Sequence, residues 1–184
     1  GGHSGIHING MEGTNITDNL IFGCDTGIYL ENCEYITIKN NDFFNNTGDS
    51  DIYCEASDNT VISGNTFFGN GVPSYAIDME NCISGLIDDN EMREYDTEAI
   101  FTEDTIATIS HNYMADSIWG IEPYDSTLVI FGNTIENGSE DGIDVYDGAN
   151  LTIYDNIIAN FGNGIYCDND DPDTLFVAYD NTIT

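Results

Sequence analysis

A short phrase recurs eight times along these 184 residues: a small residue, then Ile, then an Asn about thirteen positions later. The isoleucines are Ile6, Ile28, Ile52, Ile77, Ile100, Ile121, Ile143 and Ile165. The asparagines are Asn19, Asn41, Asn65, Asn90, Asn112, Asn133, Asn156 and Asn181. Ile and Asn stand 12 or 13 residues apart in seven copies and 16 apart in the last, whereas Asn to the next Ile varies from 9 to 12. A fixed part followed by a variable part is what rigid strands and a tolerant loop produce. A repeat of this length builds a stack of units, none of which can bury its apolar face alone.

The fixed part alternates with period two, which is strand patterning. Two residues after each Ile stand Ile8, Leu30, Cys54, Met79, Thr102, Pro123, Val145 and Cys167. A second inward file precedes the Asn by three: Ile16, Ile38, Ile62, Ile87, Ile109, Ile130, Ile153 and Ala178. A third follows it by two: Ile21, Phe43, Phe67, Met92, Met114, Ile135, Ile158 and Ile183. The spacing predicts an all-β fold, a parallel β-helix (solenoid) of eight coils of about 22 residues with three short strands per coil. An amphipathic helical repeat is excluded by composition, since Gly, Asn, Thr and Ile dominate and good helix formers are few.

The Asn column is expected to be structural. Asn tolerates left-handed backbone and bonds its own chain, so it suits a bend, and stacked amides can bond one another. The small residue before each Ile (Gly5, Gly27, Ala76, Ala99, Gly120, Gly142 and Gly164) reads as a packing requirement, with Asp51 the exception.

The pattern Gly-Ile-x-Leu followed by Asn-x-Ile/Phe resembles the right-handed parallel β-helix repeats of the pectin-lyase-like superfamily. It is most similar to those of periplasmic NosD-type proteins and of carbohydrate-binding and sugar-hydrolase proteins. The resemblance covers the whole chain and implies a right-handed coil; as a scaffold signature it leaves the activity open. Residues 1–184 read as a single domain, and the chain begins and ends inside the repeat. It is therefore expected to be a mature segment, an excerpt of a longer protein, or a self-stacking unit. Joined end to end, the next Ile would follow 25 residues after Ile165.

The balance of 34 acidic against two basic residues, Lys39 and Arg93, gives a net charge of −32. Nucleic acid and anionic membrane surfaces are excluded as direct partners. Of five cysteines, Cys54 and Cys167 share one inward file, and Cys33 and Cys82 share another. The latter two lie two coils apart, about 9.6 Å and too far for a disulfide. They read as small buried hydrophobes, leaving Cys24 as the one candidate for an external link. Sequons place glycosylation candidates at Asn15, Asn45, Asn137 and Asn150, of which Asn45 and Asn137 fall in variable loops.

Two outward files follow from the alternation. One step after Ile come His7, Tyr29, Tyr53, Asp78, Phe101, Glu122, Asp144 and Tyr166; three steps after come Asn9, Glu31, Glu55, Glu80, Glu103, Tyr124, Tyr146 and Asp168. Both are expected to be exposed. Stacked carboxylates at Glu31, Glu55, Glu80 and Glu103 would repel by about 0.8 kcal/mol per neighbouring pair in water, a conflict that Ca²⁺ would relieve. Asp168, Asp170, Asp171 and Asp173 form a second acidic cluster in a lengthened turn, without the Gly or closing Glu of a calcium loop. No cofactor is required by any motif. The rings of Tyr29, Tyr53, Phe101, Tyr124, Tyr146 and Tyr166 could stack on sugars while carboxylates bond hydroxyls, as a polysaccharide groove would require.

Catalysis is the weaker reading. The resemblance implies lyases, hydrolases and epimerases as relatives. Their basic proton acceptor, their Asp-Asp and Gly-His-Gly arrangement and their Asp-Pro-His motif are not matched; the nearest run is Asp171-Pro172-Asp173. No catalytic residue is assigned; Glu122 and Asp144, adjacent in one file, come nearest to the pair of acids that glycoside hydrolysis requires. His3, His7 and His111 occupy different files, and no Met/His cluster supports NosD-type copper delivery. The sequence therefore predicts a non-catalytic extracellular or cell-surface structural or adhesive rod. Its expected partners are itself (end-to-end or lateral assembly into filaments or a surface layer), flanking domains, and polysaccharide or cations on the acidic-aromatic face. The alternative is the carbohydrate-active domain of a polysaccharide lyase, hydrolase or epimerase.

Overall fold

The computed structural model describes residues 3–146, 148–168 and 175–184, and every regular element among them is a β-strand. The strands form three eight-stranded sheets, each taking one strand from every coil, and all neighbours run parallel. The first sheet runs from Ser4–Asn9 to Asn163–Cys167, the second from Asn15–Thr17 to Phe176–Tyr179, and the third from Leu20–Phe22 to Thr182–Ile183. The architecture is a right-handed parallel β-helix. We number its coils 1–8 by the repeat isoleucines.

The predicted files superpose. Ile6 through Ile165 are cross-strand partners in seven successive pairs. The second inward file, Ile16 to Ala178, and the third, Ile21 to Ile183, pair in the same way. Over coils 1–7 their side chains fill one continuous core along the axis, while Ala178 and Ile183 in coil 8 are exposed. Within it the rings of Phe43 and Phe67 stack at 4.7 Å. Burial of each Ile in such a file contributes about 1.5–3 kcal/mol.

The column of small residues is enforced by this core. A Cβ on Gly120 would lie 2.4 Å from Ile135 Cγ2 and 2.3 Å from the Gly142 carbonyl; one on Gly142 would lie 2.3 Å from Ile158 Cγ2. The two coils that carry Ala instead, at Ala76 and Ala99, have the unbranched Met92 and Met114 where their neighbours have Ile or Phe. Asp51, the exception in the column, is fully buried and accepts hydrogen bonds from Tyr95 Oη and Asn46 Nδ2.

The asparagines form the expected amide ladder. From coil 1 to coil 8 each backbone N–H and each Nδ2 donates to the Oδ1 of the next Asn, at 2.9–3.0 Å. Each Nδ2 from Asn41 onward also donates to the second-sheet residue of the coil before, as Asn112 does to the Ile87 carbonyl at 2.9 Å. The expected left-handed backbone falls one residue earlier. Asp18, Asn40, Gly64, Asp89, His111, Gly132, Asp155 and Asp180 take φ between 53° and 66°, and turn the corner. The Asn that follows is not left-handed, and its amide is taken up by the ladder.

A second ladder occupies the bend between the first and second sheets. The backbone N–H of Cys33 donates to Ser57 Oγ (3.2 Å), Ser57 to Cys82 Sγ (3.4 Å), Cys82 to Thr105 Oγ1 (3.3 Å) and Thr105 to Ser126 Oγ (3.2 Å). Cys33 and Cys82 are thus buried, as expected, but as members of a polar file rather than as plain hydrophobes. Their thiols donate in turn to the Ile8 and Cys54 carbonyls.

Candidate functional site

The first sheet presents three outward files, not two. The alternation breaks at the small residue, which turns inward beside the third sheet, so the position two before each Ile also faces out. That file reads Ser4, Thr26, Ser50, Tyr75, Glu98, Trp119, Asp141 and Asn163, and it is in register where pairs are formed. Sequence reasoning passed over it, although it is polar or aromatic throughout and holds the chain's one tryptophan.

In coils 1–4 the acids and rings of the face satisfy one another. His7 stacks on Tyr29 at 4.6 Å, and Tyr29 packs against Tyr53 at 5.1 Å with the rings tilted by 31°. The Tyr29 hydroxyl donates to Glu55 Oε2 and that of Tyr53 to Glu80 Oε2, each at 2.8 Å. Glu31 accepts from Asn9 Nδ2 and lies 3.7 Å from His7 Nε2. The Tyr29 phenol is pushed up to about 12 by its hydrogen bond to Glu55, with burial next. Glu31, Glu55, Glu80 and Glu103 are cross-strand neighbours, as the spacing predicts. Two of the four accept a tyrosine proton, so the ladder is relieved by phenol donors. No three His, Cys, Asp or Glu side chains among the described residues converge as ligands for a metal. Asp168 is exposed at the end of its strand; Asp170, Asp171 and Asp173 lie outside the described residues.

In coils 4–7 the face changes character. Asp78 and Asp144, expected to be exposed, are 7% and 2% accessible, and Glu98 is 6% accessible. Asp78 Oδ1, Glu98 Oε2 and Asp144 Oδ1 are each buried with no hydrogen-bond partner among the described residues. Burial, then the charges of Glu80, Glu103, Asp49 and Glu98, pushes Asp78 up to about 7. Glu122 is pushed up to about 8 by burial, by a hydrogen bond shared with Glu98, and by the charges of Glu98 and Asp144. Asp144 rises to about 6 through burial and Asp141, against the Tyr146 hydroxyl, which lowers it. Glu98 is the hub, acting on Asp78, Glu122 and Asp144 alike.

Aromatic side chains flank the row. Tyr75 and Phe101 pack with centroids 5.4 Å apart. Trp119 is half-buried beside its register partner Glu98, and Tyr124, Tyr146 and Tyr166 are exposed. At the coil 4 end a surface pocket is bounded by Thr26, Asp49, Ser50, Tyr53, Asp78 and Glu80. The two cations of the chain are elsewhere. Lys39 is on the second sheet; Arg93, on the third, pairs with Glu91 at 2.6 Å and covers the Tyr113 ring at 4.4 Å. Of the sequon residues, Asn15, Asn45 and Asn137 are exposed and Asn150 is half-buried.

The fold defines a parallel β-helix protein of the pectin-lyase-like class. Residues 1–127 and again 75–184 match the family described as "Periplasmic copper-binding protein (NosD)", and the chain belongs to that family. Among solved structures, the periplasmic alginate epimerase AlgG superposes with a TM-score of 0.78 at 14% identity, over 98% of this chain and 47% of its own. Its T265N T268M double mutant gives 0.79 at 15% identity, over 93% and 51%. DFA-IIIase from Arthrobacter chlorophenolicus A6, without its lid, gives 0.57 at 14%, over 99% and 54%. The chain thus spans about half the length of these structures, and the likeness is one of fold. Curated protein sequences contain no match.

The described residues do not fit the copper of the family's name. His7 stands on the first sheet against Glu31, and His111 at the corner between the second and third sheets, 2.9 Å from Asp88. Burial pushes the Cys54 thiol well above its ordinary range and that of Cys82 to about 11, which opposes the thiolate a metal requires. Cys33 and Cys82 are already engaged in the second ladder, and Met79, Met92 and Met114 are enclosed in the core.

Proposed function

We propose that the chain is an extracellular or cell-surface β-helix whose first-sheet face, over coils 4–7, binds carbohydrate. The family's description as periplasmic supports that location. One observation carries the binding reading: three carboxyl groups, Asp78, Glu98 and Asp144, are buried yet each keeps an oxygen without a partner among the described residues. Leaving a buried acceptor unsatisfied costs about 1–3 kcal/mol. A polyhydroxylated ligand supplies the missing donors, and Tyr75, Phe101, Trp119, Tyr124 and Tyr146 supply apolar ring surface for pyranose faces. The periplasmic alginate epimerase with which the fold is shared supports carbohydrate as the ligand class.

A glycan microarray tests this. Specific retention of one or more glycans, reduced in an Asp78→Asn/Glu122→Gln variant, is the expected result; a blank array removes the reading.

A specific observation also favours a catalytic use of the same row. Glu122 and Asp144 stand one step after Ile in adjacent coils, and burial raises both, Glu122 further than Asp144, which supports an acid and a base side by side. Release of reducing ends from a bound glycan, lost in Glu122→Gln, would establish hydrolysis. Binding without release leaves the face a non-catalytic one.

A further inference from the structure

Resting on the carbohydrate-binding reading, the geometry points to its ligand class: we propose that the face takes a cationic glycan, a chain of amino sugars lying along the helix axis. The first observation is placement. Asp78, Glu122 and Asp144 stand one step after Ile in coils 4, 6 and 7, with Phe101 in the coil 5 position of that file. Glu98 stands two before Ile in coil 5 and shares a hydrogen bond with Glu122. The acids therefore run along the helix axis over four coils, about 14 Å at about 4.8 Å per coil, a span that takes a short run of sugars.

The second observation is sign. Every charged group acting on Asp78 is a carboxylate (Glu80, Glu103, Asp49 and Glu98), and the same holds for Asp144, with Asp141, Glu98 and Asp168. Lys39 and Arg93 belong to the other two sheets. A polyuronate laid on this face would add a negative charge at each step to a row already crowded with them, at several tenths of a kcal/mol per pair even in water. The ligand that removes the repulsion carries the opposite charge.

The third observation distinguishes this row from the acids that cover the rest of the surface. Asp78, Glu98 and Asp144 are more than nine-tenths buried, and each keeps an oxygen without a donor among the described residues. An ammonium or amino-sugar hydroxyl satisfies such an oxygen by a charge-assisted hydrogen bond, which an exposed, hydrated carboxylate gains little from. The rings beside the row then bind the sugar faces rather than the charge.

Isothermal titration at low salt and pH 7 discriminates the possibilities, since Asp144 is ionised there and an ammonium displaces the protons that Asp78 and Glu122 still hold. The probes are the β-1,4-glucosamine hexamer, its fully N-acetylated counterpart, and an oligomannuronate with and without Ca²⁺. The expected result is glucosamine hexamer binding at least about tenfold tighter than the acetylated hexamer. Glu98→Gln should weaken it by about tenfold, while replacing the exposed acids Glu12 and Glu34 by Gln leaves it unchanged. Equal loss in both variants would show only attraction of a polycation to a protein of charge −32, and would overturn the proposal. Equal binding of the acetylated hexamer, or tighter binding of the uronate in either condition, would overturn it while leaving carbohydrate binding intact. No binding by any probe would remove both.

Discussion

The Tyr53 hydroxyl donates to Glu80 Oε2, 2.8 Å away on the next coil. Register alone sets Glu80 directly over Glu55, a like-charge contact that parallel sheets avoid. The diagonal phenol resolves it, because the outward file one step after Ile reaches the file three steps after Ile in the neighbouring coil. Tyr53→Phe is therefore expected to destabilise the protein by about 1 kcal/mol in urea denaturation. A change within error would mean that the hydroxyl adds nothing to the ladder.

The amide ladder carries far more per residue. Asn112 is buried, accepts from the backbone and Nδ2 of Asn90, and donates to Asn133 and to the Ile87 carbonyl. Asn112→Ala orphans several of these groups at once and is expected to cost about 3 kcal/mol or more. Asn19→Ala, in exposed coil 1, is expected to cost less than half of that. Equal losses at the two sites would contradict the ladder as a source of stability.

Two glycines should respond to Ala for different reasons. At Gly120 the new Cβ meets Ile135 and the Gly142 carbonyl at 2.3–2.4 Å, so overpacking predicts a loss of about 2–3 kcal/mol. At Gly10 nothing lies within 4 Å, and only the φ of +65° opposes a side chain, so about 1–2 kcal/mol is expected. An added Ile135→Ala change should recover part of the first loss and none of the second, as thermal denaturation will show.

Much of this was legible in the chain because side chains repeat with the coil. The isoleucine, second and third files and the Asn column are fixed by spacing, and each superposes as the spacing requires. Asp18 and its equivalents were not legible as the turn-makers, because Asn at the next position has the same left-handed tolerance. The Cys33–Ser57–Cys82–Thr105–Ser126 file escaped notice since its members share only size and a polar atom, not an identity. Glu98 and Trp119 were missed for a geometric reason: strict period-two alternation assigns them inward, and only the turn at Ala99 and Gly120 points them out. The burial of Asp78 and Asp144 depends on how the face closes around them, which no one-dimensional pattern encodes.

The buried acids predict an unusual pH profile. Asp78, Glu122, Asp144 and Asp51 rise from 3.8 or 4.5 to about 7, 8, 6 and 6, in each case mainly through burial. A group whose folded value is raised contributes stability that is complete below its unfolded value and is lost as pH rises through the folded one. The melting temperature should therefore be highest near pH 4, fall as pH rises from there, and level off between about pH 6 and 8. In Asp78→Asn/Glu122→Gln the decline should be shallower and the stability at pH 8 higher than in the wild type. A profile that instead rises from pH 5 to 8 would contradict the burial of these groups.

Trp119 supplies the most direct test of the central claim, that the unpartnered carboxylates of the first sheet face a carbohydrate ligand. It is the only tryptophan in the chain and is paired in register with Glu98. Its emission, titrated with soluble neutral, amino and uronic oligosaccharides, should shift saturably with at least one of them and lose that response in Glu98→Gln. No shift with any sugar, or the same shift in the variant, would contradict the account.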